Sequence, residues 1–211
     1  YWETFLTDGE MNQLKKSLAF PPVLYLRVNP LKTDAHQLIE SLSKQYSIMV
    51  NSSFCLSNAL VSQFDYSQLI ETNEYQKGFF SIHDLSSQIM VELLAPNPGE
   101  KIIDIGCGSG GKTLMMAQMM KNQGCIYAVD IHPEKLKTLE THARRQGIDI
   151  IRPLIADATQ PLPKELRGAH RIFVDAPCSG WGTLRRNPEI GFLRKKSENQ
   201  SFAEKQLQIL S

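Results

Sequence analysis

A chain of 211 residues that is 42% hydrophobic and 21% charged has the composition of an ordinary globular protein, with room for one large domain, or one large and one small. Its formal net charge of +1 excludes a whole-molecule field that would by itself demand nucleic acid or a membrane, so any basic surface must be local. No apolar run approaches the roughly 20 residues of a membrane span, Tyr1-Trp2-Glu3 is no signal peptide, and Cys55, Cys107, Cys125 and Cys178 lack the spacings of a metal site, which predicts reduced thiols in a cytoplasmic protein.

Residues 1 to 20 read as a helix from about Asp8, with Leu14 and Leu18 on one face and Pro21-Pro22 as its stop. Val23 to Val28 alternates as a strand closed by Asn29-Pro30. Leu38, Ile39 and Leu42 mark a helix over about Asp34 to Tyr46, and the short apolar run Ile48 to Val50 follows, a β-α-β unit. With weaker strand candidates near Phe54 and Leu69, residues 1–75 form an expected small α/β module that could bind RNA or brace the rest. Glu71 to Lys77 reads as a polar linker, so the larger domain is expected over residues 76–211.

Asp84 is a candidate cap for a helix with Leu85, Ile89, Leu93 and Leu94 on its apolar face, ended by Pro96 and Pro98. Lys101 to Ile105 is the central strand, followed by a glycine-dense turn and a helix carrying Leu114, Met115, Met119 and Met120, which reads as core. Ile126 to Val129 is the next strand and ends at Asp130. A helix with Pro133 at its start and Gly147 at its end follows. Strands at about Ile150 to Ile155 and Arg171 to Val174 end at Asp157 and Asp175. This order predicts a Rossmann-like, doubly wound parallel α/β sheet with an aspartate closing each strand at the ligand edge.

The turn itself fits three templates. Gly106, Gly108 and Gly111 satisfy GxGxxG; Gly106, Gly111, Lys112 and Thr113 satisfy the P-loop pattern; Asp104, Gly106, Gly108 and Gly110 fit the acidic turn of S-adenosylmethionine (SAM) enzymes. Asp104 favours the third, since a carboxylate repels a pyrophosphate and attracts the SAM ammonium. Asp130 lies about 20 residues beyond the turn, the distance at which an acid reaches ribose hydroxyls, and Asp157 could face the adenine amino group. Lys112 with Thr113, and the apolar run into Asp175, keep a nucleotide-hydrolysing P-loop reading open.

Asp175-Ala176-Pro177-Cys178-Ser179-Gly180 sets a carboxylate and a thiol on one stiff loop just past a strand end. That pairing suits methylation at C5 of a pyrimidine. A thiolate adds to C6, an acid supports N3, C5 attacks the methyl of SAM, and a base then removes the C5 proton.

The run Asp175 to Glu189, continuing through Leu184-Arg185-Arg186-Asn187-Pro188-Glu189, resembles the signature of RNA (cytosine-5)-methyltransferases of the RsmB/Sun type. Gly110-Gly111-Lys112-Thr113, Gly78 to Gln88 and Arg27-Val28-Asn29 resemble further phrases of that family, so the likeness covers most of the chain. It implies SAM as cofactor, RNA (ribosomal RNA is expected) as substrate, and a class I methyltransferase fold. Carried over by position, Gly106, Cys107, Gly108, Ser109, Gly110, Gly111, Lys112, Asp130, Asp157 and Asp175 contact SAM. Asp175 also addresses the cytosine, Cys178 assists product release, and Arg185, Arg186, Arg194, Lys195 and Lys196 form a strip for RNA phosphates.

Three departures follow. Gly106-Cys107-Gly108-Ser109 replaces the family's Cys-Ala-Ala-Pro, which gives Cys107 a backbone-lining part; His83 stands at a usual Gln; and the sequence stops at Ser211, before the family's Thr-Cys-Ser nucleophile. The last makes the chain either a fragment or a protein without that cysteine. It is expected to be inactive alone, incomplete in its sheet and prone to pair an exposed edge strand with another molecule. The rival readings are a SAM-fold protein that grips RNA without methylating it, and a P-loop hydrolase.

Overall fold

A computed structural model describes residues 5–20, 22–53, 55–62, 65–195 and 198–211. The sequence readings at Pro21, Phe54 and Lys196 therefore lie outside the described residues. Residues 23–175 make one compact unit, and residues 1–22 with 176–211 make another.

In the second of these, α1 (Asp8–Ala19) starts one residue after Thr7, which is the N-cap in place of the expected Asp8. The Thr7 hydroxyl accepts the Glu10 N–H while the Glu10 carboxylate accepts the Thr7 N–H at 2.8 Å, a reciprocal capping box. No residue of α1 is buried.

Two sheets build the unit of residues 23–175. The first takes β1 (Leu24–Val28), β2 (Val50–Ser52), β3 (Ala59–Ser62) and β4 (Phe80–Ile82) in the order β2-β3-β1-β4, with every pairing antiparallel. The expected β-α-β unit forms in split form: β1 and β2 run parallel, joined by a helix, with β3 antiparallel between them. α2 (Ala35–Tyr46) covers this sheet through Leu38 and Leu42. It is capped by Asp34, whose carboxylate accepts the Gln37 N–H at 2.9 Å, and closed by Ser47 at φ 56°. Leu69, read as strand, is instead the buried residue of α3 (Tyr66–Ile70). The expected linker holds α4 (Asn73–Gln76), whose Glu74 is buried against the Ser41 hydroxyl.

The second sheet is parallel in the order β7-β6-β5-β8, from β5 (Lys101–Ile105), β6 (Cys125–Asp130), β7 (Ile151–Ile155) and β8 (Arg171–Val174). This is the Rossmann-like α/β arrangement expected from the strand–helix alternation. α5 (Leu85–Leu94), α6 (Gly111–Met119) and α7 (Pro133–Gln146) complete it. Asp84 caps α5 as read, but the helix buries Gln88 and Val91 and leaves Leu93 74% exposed. A glutamine tolerates that position because its Nε2 donates to the His83 carbonyl at 2.8 Å. Met115, Met116 and Met120 are core, packed with Ile102, Ile126, Leu139 and Phe173.

Candidate functional site

The carboxyl edge of the parallel sheet holds the glycine turn, and the backbone there is already hydrogen-bonded. The N–H groups of Gly106 and Cys107 both donate to the Val129 carbonyl, at 2.8 and 3.1 Å. The Gly108 N–H donates to Asp130 Oδ2 at 2.9 Å, and the Gly110 N–H to the Cys107 carbonyl at 3.0 Å. At Gly110, with φ 86°, a Cβ would stand 2.1 Å from Leu139 Cδ1, so only glycine lets the turn lie on α7. Gly108 also has positive φ, 56°, yet a Cβ there would meet nothing within 4 Å, which leaves open space where a ligand can lie on the backbone.

Asp104, 1% exposed, is the penultimate residue of β5. Its Oδ2 accepts the Thr113 hydroxyl at 2.5 Å, while Oδ1 is buried with no hydrogen-bond partner. Burial pushes its carboxyl up to about 7, against the pull of Thr113 and Lys112. An unsatisfied carboxylate oxygen beside an open glycine turn fits an ammonium, the group that would both donate to it and neutralise it. The ammonium of SAM meets that description.

Asp130 ends β6 and is 7% exposed. Its Oδ2 receives Gly108, and its Oδ1 receives the His132 N–H at 2.9 Å. Each oxygen keeps a second lone pair for a ribose hydroxyl, and meanwhile the carboxylate ties the turn to the neighbouring strand. Lys112, in the first turn of α6, pairs with Asp175 at 2.6 Å, joining the turn to the end of β8. Asp157 lies two residues past β7 and is exposed, with its Oδ1 accepting the Thr159 N–H and hydroxyl at 2.9 and 2.8 Å. Burial pushes the Cys107 thiol up, which keeps it protonated.

Cys178, Arg185, Arg186 and Lys195 belong to the unit of residues 1–22 and 176–211. The Cys178 thiol is exposed. Arg185 Nε donates to the Phe20 carbonyl at 3.1 Å, and Arg186 and Lys195 are exposed. Arg194 lies 3.9 Å from Glu198 and stacks over Phe202. α8 (Ile190–Leu193) and α9 (Glu198–Leu210) flank these last residues.

Sequence reasoning missed the polar layer behind the turn, where Arg27 on β1 reaches the Gly111 carbonyl, His83, Ser81 and Gln146. The available signal was a lone arginine inside the apolar strand Leu24 to Val28.

Residues 91–211 match the family model described as 16S rRNA methyltransferase RsmB/F. The probable ribosomal RNA small subunit methyltransferase B of Bacillus subtilis is 34% identical over 191 residues, covering 90% of this chain and 42% of that protein. The 28S rRNA (cytosine(4447)-C(5))-methyltransferase of Homo sapiens is 33% identical over 183 residues, covering 86% of this chain and 22% of that protein. A crystal structure of a methyltransferase homolog protein from Pyrococcus horikoshii superposes with a TM-score of 0.78 at 26% identity, over 92% of this chain and 61% of that one. The chain thus spans less than half the length of these curated relatives. On the match over residues 91–211, it belongs to the RsmB/F family of 16S rRNA methyltransferases.

Proposed function

We propose that the protein is a SAM-dependent methyltransferase acting on C5 of cytosine in RNA, with ribosomal RNA its substrate and the cytoplasm its compartment. The observation that carries this reading is the hydrogen-bond accounting of the glycine turn. A phosphate-binding loop needs free N–H groups, yet those of Gly106, Cys107, Gly108 and Gly110 are all committed, one of them to a carboxylate. Lys112, which would reach a phosphate in a P-loop, is paired with Asp175 instead. A site walled by Asp104, Asp130 and Asp175 favours a cationic nucleoside over a triphosphate.

Bound there, SAM supplies an electrophilic methyl group. Asp104 would hold its ammonium and Asp130 its ribose, with the glycine turn against its backbone. Asp157 takes the adenine end. Lys112 orients the Asp175 carboxylate, which addresses N3 of the cytosine. Cys178, three residues further on, is the base or thiol of the release step. Arg185, Arg186, Lys195 and Lys196 draw in the RNA backbone, and residues 1–75 serve as an accessory RNA-holding module.

The test is covalent trapping of the full-length protein on RNA carrying 5-fluorocytosine, because fluorine at C5 blocks the last proton removal. The expected result is an adduct that forms with SAM and not with ATP and magnesium. RNA binding without any adduct would overturn the methyltransferase reading and favour a binding protein on the same fold.

A further inference from the structure

We infer that Arg27 is a positioning residue, holding the start of α6 and the glycine turn from behind so that the methyl donor finds its site assembled. The inference rests on reading that turn as the SAM site.

Arg27 stands in β1 between Leu26 and Val28, which both belong to the core of the antiparallel sheet. Strand alternation sends the arginine to the opposite face, and it is 2% exposed there. Its Nη1 donates to the Gly111 carbonyl at 2.6 Å and to His83 Nδ1 at 2.9 Å. A guanidinium can only donate, so His83 Nδ1 accepts and the ring proton sits on Nε2. Burial, with Arg27 and Lys112 nearby, holds His83 down to about 2, so the imidazole stays a neutral acceptor. Arg27 Nη2 donates to the Ser81 hydroxyl at 3.1 Å and to Gln146 Oε1 at 3.4 Å, and Gln146 in turn accepts from Gln118 at 2.7 Å.

The fold alone gives little reason for this arginine. Among the described residues it forms no ion pair, and a buried guanidinium without a carboxylate carries a desolvation cost that an apolar side chain of similar length would avoid. Packing on this side is incomplete, although the His83 ring lies close against Gly111. A cavity of about 180 Å³ lies there, lined in part by Arg27, His83, Ser109, Gly111 and Gln146. Arg27 bonds both to the Gly111 carbonyl and to the His83 ring that packs against it, so it sets where Gly111 stands. Gly111 follows the left-handed Gly110 and precedes Lys112 and Thr113, which bond to Asp175 and Asp104. Displacing Gly111 would misplace both bonds at once.

The test compares wild type, Arg27→Met and Arg27→Lys in the full-length protein by thermal melting, amide hydrogen exchange and calorimetry with S-adenosylhomocysteine. Arg27→Met strands the Gly111, His83 and Gln146 acceptors, and the loss should be local: exchange over residues 108–114 should quicken tenfold or more with β6 and β7 unchanged. Its affinity for S-adenosylhomocysteine should fall about tenfold, and Arg27→Lys, which can still donate to the Gly111 carbonyl, should recover most of the loss. Unchanged exchange at the turn in Arg27→Met would overturn the inference. So would a lowered melting temperature with exchange faster everywhere, the mark of a merely structural residue. If wild type fails to bind S-adenosylhomocysteine, the SAM reading falls, and the exchange pattern still decides whether Arg27 holds the turn.

Discussion

Replacing Asp104 with Asn should remove a pH dependence that the fold carries at its centre. Burial raises the Asp104 carboxyl from 3.8 to about 7. The folded chain therefore holds this proton more tightly than the unfolded chain does, and stability is lost as pH rises from near 4 through 7. Three pH units at ~1.36 kcal/mol each give a penalty on the order of 4 kcal/mol above pH 7. At pH 5 less than half of it has developed. Asparagine keeps an acceptor for Thr113 but buries an amide nitrogen, at a cost of ~1–3 kcal/mol that is the same at every pH. The stability difference between wild type and Asp104→Asn should thus shift by about 2–3 kcal/mol in the variant's favour between pH 5 and pH 8, measured by urea unfolding. A difference that stays constant across that range would refute both the buried charge and the argument built on it. Ligand binding offers a second reading of the same group. An ammonium docking on Oδ1 lowers the carboxyl's proton affinity, so S-adenosylhomocysteine should release up to about one proton at pH 6 from wild type and none from the variant, as seen by calorimetry in buffers of different ionisation heat.

Gly110→Ala should destabilise by ~2 kcal/mol or more, since it adds left-handed strain to a Cβ only 2.1 Å from Leu139 Cδ1; a melting temperature equal to wild type would mean that α7 moves aside freely. For RNA, removing one phosphate-binding charge by Arg186→Ala or Lys195→Ala should flatten the logarithmic salt dependence of binding by about 0.7, and an unaltered slope would return those side chains to solvent.

The parallel sheet was legible because its strands are short, largely apolar runs at or just before an aspartate, and because Asp84, Pro133 and Gly147 mark helix ends where the chain uses them. The antiparallel sheet was not. β2 and β4 are three residues long, too short for a periodicity, and β1 finds its partners β3 and β4 some 35 and 55 residues away. Leu69 and Glu74 were misread for a related reason. Both lie in helices of five residues or fewer, whose identity comes from the caps Asp65 and Thr72 and from burial supplied by distant elements. At the site, the glycines form the turn their spacing suggested, whereas Arg27, noted only within the phrase Arg27-Val28-Asn29, carried no sign of its bond to Gly111.

The ambiguity of the turn was real at the level of sequence, since the same glycines satisfy three templates. Glycine spacing says where backbone can bend; it does not say where the freed N–H groups go. That is decided by Val129 and Asp130, on the adjacent strand, which take three of them and set a carboxylate against the turn. The two residues that break local rules then become intelligible together. Asp104 is a buried acid with an unpaired oxygen, and Arg27 is a buried base without an acid. Each grips the first turn of α6, Asp104 through Thr113 and Arg27 through Gly111. Neither is what a core would select for stability, and costs of this kind gather where a chain must hold something other than itself. A carboxylate oxygen left unsatisfied at the strand end, with a guanidinium bracing the start of the helix, leaves the turn poised to receive a cation.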